Sequence, residues 1–107
     1  MWSCVLPKIE KEASLEERCV QVVERLGGMA LKLQISGVRG FPDRTILMPG
    51  AKVWFAEFKR IRSGRVSSQQ LRWMERLGKA GFSAYVIDNE ADFNEALRKE
   101  IGNAEEI

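Results

Sequence analysis

The sequence predicts an α/β fold with element order α-β-β-β-α-β-α, and three observations carry that prediction. Apolar residues recur at helical spacing near the start, past the middle and towards the end of the chain. Between these stripes lie short segments rich in β-formers and bounded by Gly or Pro. The segment Ala51 to Lys59 has no polar face. Val53, Phe55, Glu57 and Lys59 alternate with Lys52, Trp54, Ala56 and Phe58, so a sheet covered on both sides is expected.

The first helix is expected over Ser14 to Leu26. Leu15, Cys19, Val22, Val23 and Leu26 form its stripe, Ser14 supplies an N-cap with Glu17 three residues on, and Gly27-Gly28 ends it. Met29 to Ser36 alternates Leu31, Leu33 and Ile35 with Lys32 and Gln34, which predicts a strand. Pro42 then marks a turn before a short strand, Arg44 to Met48, and Pro49-Gly50 joins it to Ala51 to Lys59 as a hairpin. Arg60 to Val66 is expected to be a loop. Ser67 and Gln70 make a capping box for a second helix, with Leu71, Met74 and Leu77 as its apolar stripe and Trp73 off that stripe, at core packing or a subunit interface. Phe82 to Ile87 predicts a buried strand. Phe93, Ala96, Leu97 and Ile101 mark the last helix, with Asp88, Glu90 and Asp92 near its positive end.

A chain of 107 residues suits one domain, expected here over residues 1–107. With 45% hydrophobic and 30% charged residues it is a globular chain, and no apolar stretch approaches the ~18 residues of a bilayer span. A cytoplasmic location without membrane contact is therefore expected. The sequence has no histidine, and its two cysteines, Cys4 and Cys19, lack CxxC spacing. Histidine-based triads and ordinary zinc sites are thereby excluded, leaving carboxylates, lysine or a hard metal for any chemistry. The net charge of +2 hides a strongly uneven distribution. Gly37 to Arg65 carries seven basic residues (Arg39, Arg44, Lys52, Lys59, Arg60, Arg62 and Arg65) against Asp43 and Glu57, whereas the segment after Ile87 is acidic. A segment so basic is either a phosphate-attracting surface or a solvated loop.

Residues two apart on a strand share a face, so Glu57 and Lys59 project together beside Val53 and Phe55. If the Pro49-Gly50 turn sets the register, Asp43 at the entry of the neighbouring strand approaches Glu57. Converging carboxylates repel and desolvate one another unless a cation intervenes, and an oxygen-only site suits magnesium or manganese. Such an ion lowers the pKa of bound water and neutralises charge on a phosphodiester, while Lys59 orients or deprotonates the attacking water. Glu-x-Lys alone says little, because this composition yields about 0.8 such triplets by chance. The plainer alternatives are a salt-bridged Glu57–Lys59 pair and an Asp43 that caps its own turn.

Gly40-Phe41-Pro42-Asp43-Arg44, Phe55-Ala56-Glu57-Phe58-Lys59 and Ser67-Ser68-Gln69-Gln70 resemble, in order and spacing, the VRR-NUC domain of the PD-(D/E)xK nuclease superfamily. The resemblance covers Glu16 to about Ile87 and looks like the stand-alone form found in phages and other viruses. It implies a restriction-endonuclease-like α-β-β-β-α-β core, with a mixed sheet flanked by helices and followed by a C-terminal helix. It implies a magnesium- or manganese-dependent nuclease acting in DNA replication, repair or recombination. By that analogy Asp43 and Glu57 bind metal, Lys59 is catalytic, Glu16 on the first helix adds an acid, and the Phe58 carbonyl joins the metal. Glu12 and Glu17 lie within about a turn of Glu16 and compete for its role. Gln70 is either a catalytic-site residue or only the partner of Ser67 in the capping box.

The expectation is a structure-specific endonuclease, acting as a homodimer on junctions, flaps or other branched DNA and needing no small-molecule cofactor. Arg39, Arg44, Arg60, Arg62 and Arg65 would hold phosphates. The alternative is a non-cleaving DNA-binding module with the same fold.

Overall fold

The computed structural model describes residues 12–59 and 66–102. Along them run α1 (Glu12–Arg25), β1 (Met29–Leu31), β2 (Arg44–Met48), β3 (Lys52–Phe58), α2 (Ser68–Lys79), β4 (Ser83–Ile87) and α3 (Glu90–Ile101), in the predicted order. The chain before Glu12, the loop residues Arg60, Arg62 and Arg65, and residues 103–107 lie outside the described residues. One mixed sheet has the spatial order β1-β2-β3-β4. The first three strands pair antiparallel, and β4 lies parallel to β3. A parallel neighbour needs a crossover, and α2 supplies it.

Helices α1 and α3 cover one face of the sheet. Trp54, fully buried in β3, packs on Phe93 and Tyr85, and around it Ile46, Met48, Ala56 and Ile87 meet Cys19, Val23, Ala96, Leu97 and Ile101. The other face lies under α2. There Phe55 touches Phe41 and Phe82 edge to face, and Leu77 is buried. The expectation of a sheet covered on both sides is met around β3, because its alternating side chains enter two separate apolar layers. Among the described residues, no helix is long and apolar enough to cross a membrane.

Several local expectations are corrected. Helix α1 starts at Glu12, so Ser14 lies inside it and is not its N-cap; Glu and Ala are good helix formers and carry the helix further back. The strand expected over Met29 to Ser36 stops at Leu31. Its partner β2 begins only at Arg44, and Pro42 just before it has no N–H with which to prolong the ladder. Leu33 and Ile35 consequently remain exposed. The hairpin turn keeps Gly50 at φ +88° and Ala51 at φ +62°, so β3 starts one residue later than expected.

The capping box of α2 forms as predicted, with Ser67 Oγ accepting from the Gln70 N–H and Gln70 Oε1 accepting from the Ser67 N–H. Its inward face differs from prediction. Leu71 is 56% exposed, while Trp73 and Met74 are half-buried and Leu77 is buried. Trp73, considered for the core or a subunit interface, lies edge to face on Phe41. That contact, together with a polar partner for Gln70, fixes the rotation of the helix.

Candidate active site

The register of the β2–β3 hairpin builds the site. Arg44 lies opposite Ala56 and Met48 opposite Lys52, so one step beyond the ladder sets Asp43 across from Glu57. The loop that delivers Asp43 is anchored by Phe41, which packs on both Phe55 and Trp73, and by the buried Pro42. Gly40, at φ +86°, lies so close to α2 that an added Cβ would come within 2.7 Å of the Gln69 carbonyl carbon. Only glycine fits both the backbone conformation and the contact.

Asp43 and Glu57 are interlocked through the backbone. The Asp43 N–H donates to Glu57 Oε1 at 3.1 Å, and the Phe58 N–H donates to Asp43 Oδ2 at 2.9 Å. Asp43 therefore bonds across the hairpin and does not cap its own turn. Gln70 Nε2 and Lys59 Nζ both reach Glu57 Oε2, the lysine at 3.2 Å. The sequence had left Gln70 between a cap and a site residue; its amide does both. Its Oε1 accepts from the Ser67 N–H, and this turns its NH2 group towards the carboxylate.

Glu57 is 3% exposed. Burial is the main cause that pushes its carboxyl pKa above the usual range, the Asp43 charge adds to the effect, and Lys59 opposes it. Two acids and one amine thus meet in a corner where Glu57 is buried and Asp43 and Lys59 are partly exposed. Cys19, the other buried group with nucleophilic potential, has its thiol pushed up to about 12, mainly by burial, and stays protonated at neutral pH.

Glu16, expected at the metal, and Arg44, expected to hold phosphate, are paired with each other. Glu16 Oε2 accepts from Arg44 Nε at 2.7 Å and lies 3.9 Å from Lys32 Nζ, while Arg44 Nη1 donates to the Ala30 carbonyl at 3.0 Å. Arg44 alternates with Asp43 along the chain and shares its face of the sheet with Ile46, towards α1, so its guanidinium is an internal partner for Glu16. Among the described residues the hydrogen-bond and ion-pair partners of Glu16 are Arg44 and Lys32. Among the described residues no group of three acids, cysteines or histidines is arranged to hold a metal ion. Arg39 is exposed on the loop before Asp43, next to Gln69 of α2. Arg60, Arg62 and Arg65 lie outside the described residues.

Whether the corner suits a hard cation is tested by its donors. Asp43 and Glu57 offer carboxylate oxygens, and the Phe58 carbonyl leaves the strand on the same side as its N–H, towards Asp43. This all-oxygen set, with a like-charge conflict that a cation would relieve, fits magnesium or manganese. Sequence reasoning missed the contact of Gly40 with α2. Its only local signal is a glycine two residues before a proline.

The fold agrees with what comparison finds. The VRR-NUC domain family model matches residues 3–91. A protein of Acyrthosiphon pisum secondary endosymbiont phage 1, named "Putative nuclease p44", is 34% identical over 83 residues, covering 78% of this chain and 88% of that protein. A solved structure described as a VRR_NUC domain superposes with a TM-score of 0.75 at 28% identity, covering 81% of this chain and 94% of the other.

Proposed function

Because the chain belongs to the VRR-NUC nuclease family, we propose that it is a divalent-metal-dependent deoxyribonuclease that hydrolyses phosphodiester bonds in structured or branched DNA, in replication, repair or recombination. The observation that carries this proposal is the interlocked Asp43–Glu57 pair with Lys59 Nζ 3.2 Å from Glu57. Asp43, Glu57 and the Phe58 carbonyl would hold magnesium or manganese, which when bound neutralises charge developing on the scissile phosphate. Lys59 holds the attacking water beside the phosphate and takes part in moving its proton. Gln70 fixes the Glu57 carboxylate, and burial keeps competing water from weakening these contacts. Arg39 holds phosphate near the mouth of the site, and Arg60, Arg62 and Arg65 are assigned the same role from the sequence alone.

A homodimer is part of the proposal. Among the described residues strand β1 is a sheet edge, and Met29, Leu31, Leu33 and Ile35 are all exposed along and beyond it. An open edge with apolar side chains suits pairing with a second copy, which would present two sites to one branched substrate. The host cytoplasm is the proposed location.

Incubation with labelled single-stranded, duplex, flap and four-way DNA in magnesium and in manganese, with Lys59→Ala alongside, tests the activity. Cleavage by the parent chain and none by the variant is expected. Binding without cutting in either metal would instead make the protein a non-cleaving DNA-binding module.

A further inference from the structure

Helix α2 has a second face that the carboxylate corner does not use. At 3.6 residues per turn, Gln69, Arg72, Arg76 and Lys79 fall within about 80° of its circumference. All four are exposed. Among the described residues, none of Arg72, Arg76, Lys79 and Arg39 has a carboxylate within ion-pair distance, a property they share with Arg25, Lys52, Arg98 and Lys99 but not with Arg18, Lys32, Arg44 and Lys59. One of these cations is held by an aromatic ring. Arg76 lies over the Trp73 ring at 4.4 Å, and that ring is itself fixed on Phe41. At the N-terminal end Gly37, Val38, Arg39 and Gln69 line one shallow groove, so Arg39 extends the line of cations past the start of the helix. Gln70, adjacent to Gln69, is bonded to Glu57.

We propose that Arg39, Gln69, Arg72, Arg76 and Lys79 form a rail that binds the phosphates of one DNA strand and leads it to the Asp43–Glu57 corner. The proposal builds on the nuclease function above and adds a binding surface to it. From Gln69 to Lys79 the rail is about 15 Å long at 1.5 Å per residue, comparable to roughly four base-pair steps of duplex at 3.4 Å of helix axis per phosphate of one strand. Cations recurring every three or four residues along one line, at Arg72, Arg76 and Lys79, match a repeating polyanion better than the irregular acids of a protein surface. Two of the helix cations are arginines, whose planar forks suit phosphate oxygens. None of these side chains reads a base, so the contact is independent of sequence. The charge pattern could have shown the rail earlier, since Arg72, Arg76 and Lys79 recur at helical spacing within a segment whose net charge is modest.

The test is equilibrium binding of the full chain to fluorescein-labelled single-stranded and duplex DNA in EDTA, between about 50 and 200 mM salt. For Arg72→Gln/Arg76→Gln the slope of log K against log salt becomes shallower by about two, at roughly 0.9 per lost cation, whatever the sequence. Arg72→Gln alone, which leaves the Trp73 contact untouched, loses about one. Arg72→Lys/Arg76→Lys restores the parent slope. Equal slopes for the parent chain and the double Gln variant would overturn the rail, even if cleavage is normal. A reduced slope in a protein that cuts no substrate would keep the rail and remove the nuclease function. Failure of the parent chain to bind either DNA would overturn both.

Discussion

Asp43 and Glu57 are held together by main chain, not by side chain alone: the Asp43 N–H donates to Glu57 Oε1 at 3.1 Å. The return bond, from the Phe58 N–H to Asp43 Oδ2 at 2.9 Å, closes the link across the open end of the β2–β3 hairpin. Each carboxylate is thus positioned by the backbone of the strand opposite. Such a pair is preorganised before any cation or substrate arrives, which is what electrostatic catalysis of phosphodiester cleavage requires.

A divalent cation held by this pair adds to stability by mass action. Magnesium or manganese at one hundred times its Kd is worth about 2.7 kcal/mol, and each kcal/mol moves the Tm of a domain this size by about 4–8 °C. Asp43→Asn keeps an acceptor for the Phe58 N–H, so it folds, but it removes half of the charge. Thermal melting with and without metal should show the rise in the parent chain and not in the variant. An equal rise in both would remove Asp43 as a ligand.

Glu16 is expected to matter for folding and not for chemistry. Its side chain and that of Arg44 are 22% and 19% exposed, and their 2.7 Å bond is charge-assisted. Glu16→Gln leaves the arginine without its counter-ion at a cost of about 1–3 kcal/mol. Urea unfolding should report that loss, while cleavage per folded molecule changes by no more than a few-fold. A variant with parent-like stability and cleavage down by ~10²-fold or more would return Glu16 to the metal site.

The difference between these acids explains what was legible in the sequence. Asp43, Glu57 and Lys59 could be read because a tight turn counts residues across a hairpin and strand alternation counts them along one edge. Gln70 was legible as a cap, since the Ser67 signal is local. The inward turn of Arg44 was not, because it depends on where α1 crosses the sheet, a long-range fact with no local spacing to announce it. Leu71 was misassigned for a related reason. Stripes offset by one residue, 70-73-74-77 and 71-74-77, both have helical period, and the partners Phe41 and Glu57 decide between them. The early end of β1 was set by the length of its partner, not by its own alternation.

Gly40 and Gly37 give a paired test of the loop that carries Asp43. Both have positive φ, +86° and +78°, but a Cβ at Gly40 would meet Gln69 atoms at 2.7–2.9 Å, whereas at Gly37 nothing lies within 4 Å. Gly37→Ala costs only the left-handed conformation, about 1–2 kcal/mol. Gly40→Ala adds overlap with the first turn of α2, for a combined cost of about 2–5 kcal/mol. It also separates Asp43 from Gln70, so cleavage should fall further than the fraction folded does. Urea midpoints and single-turnover cleavage on both variants check this. Equal effects of the two substitutions would mean that the loop does not rest on α2.

The buried Glu57 makes the metal-free protein sensitive to pH in a specific direction. Its carboxyl pKa is raised above the ordinary 4.5, first by burial and then by Asp43. The native state therefore holds a proton over a range where the unfolded chain has released it, and stability falls as pH rises through that range. The penalty is fully present above the raised native pKa and disappears as pH drops to about 4.5. Glu57→Gln has no such titration, although its amide exchanges some hydrogen bonds with Gln70 and Lys59 and so carries a constant offset. Thermal melts of both proteins in EDTA, from neutral pH down to about 4.5, isolate the effect, because other titrating groups are common to the two. Relative to the variant, the parent chain should gain stability as pH falls. A gap independent of pH, or one that moves the other way, would show that the Glu57 carboxylate is solvated in solution and not buried.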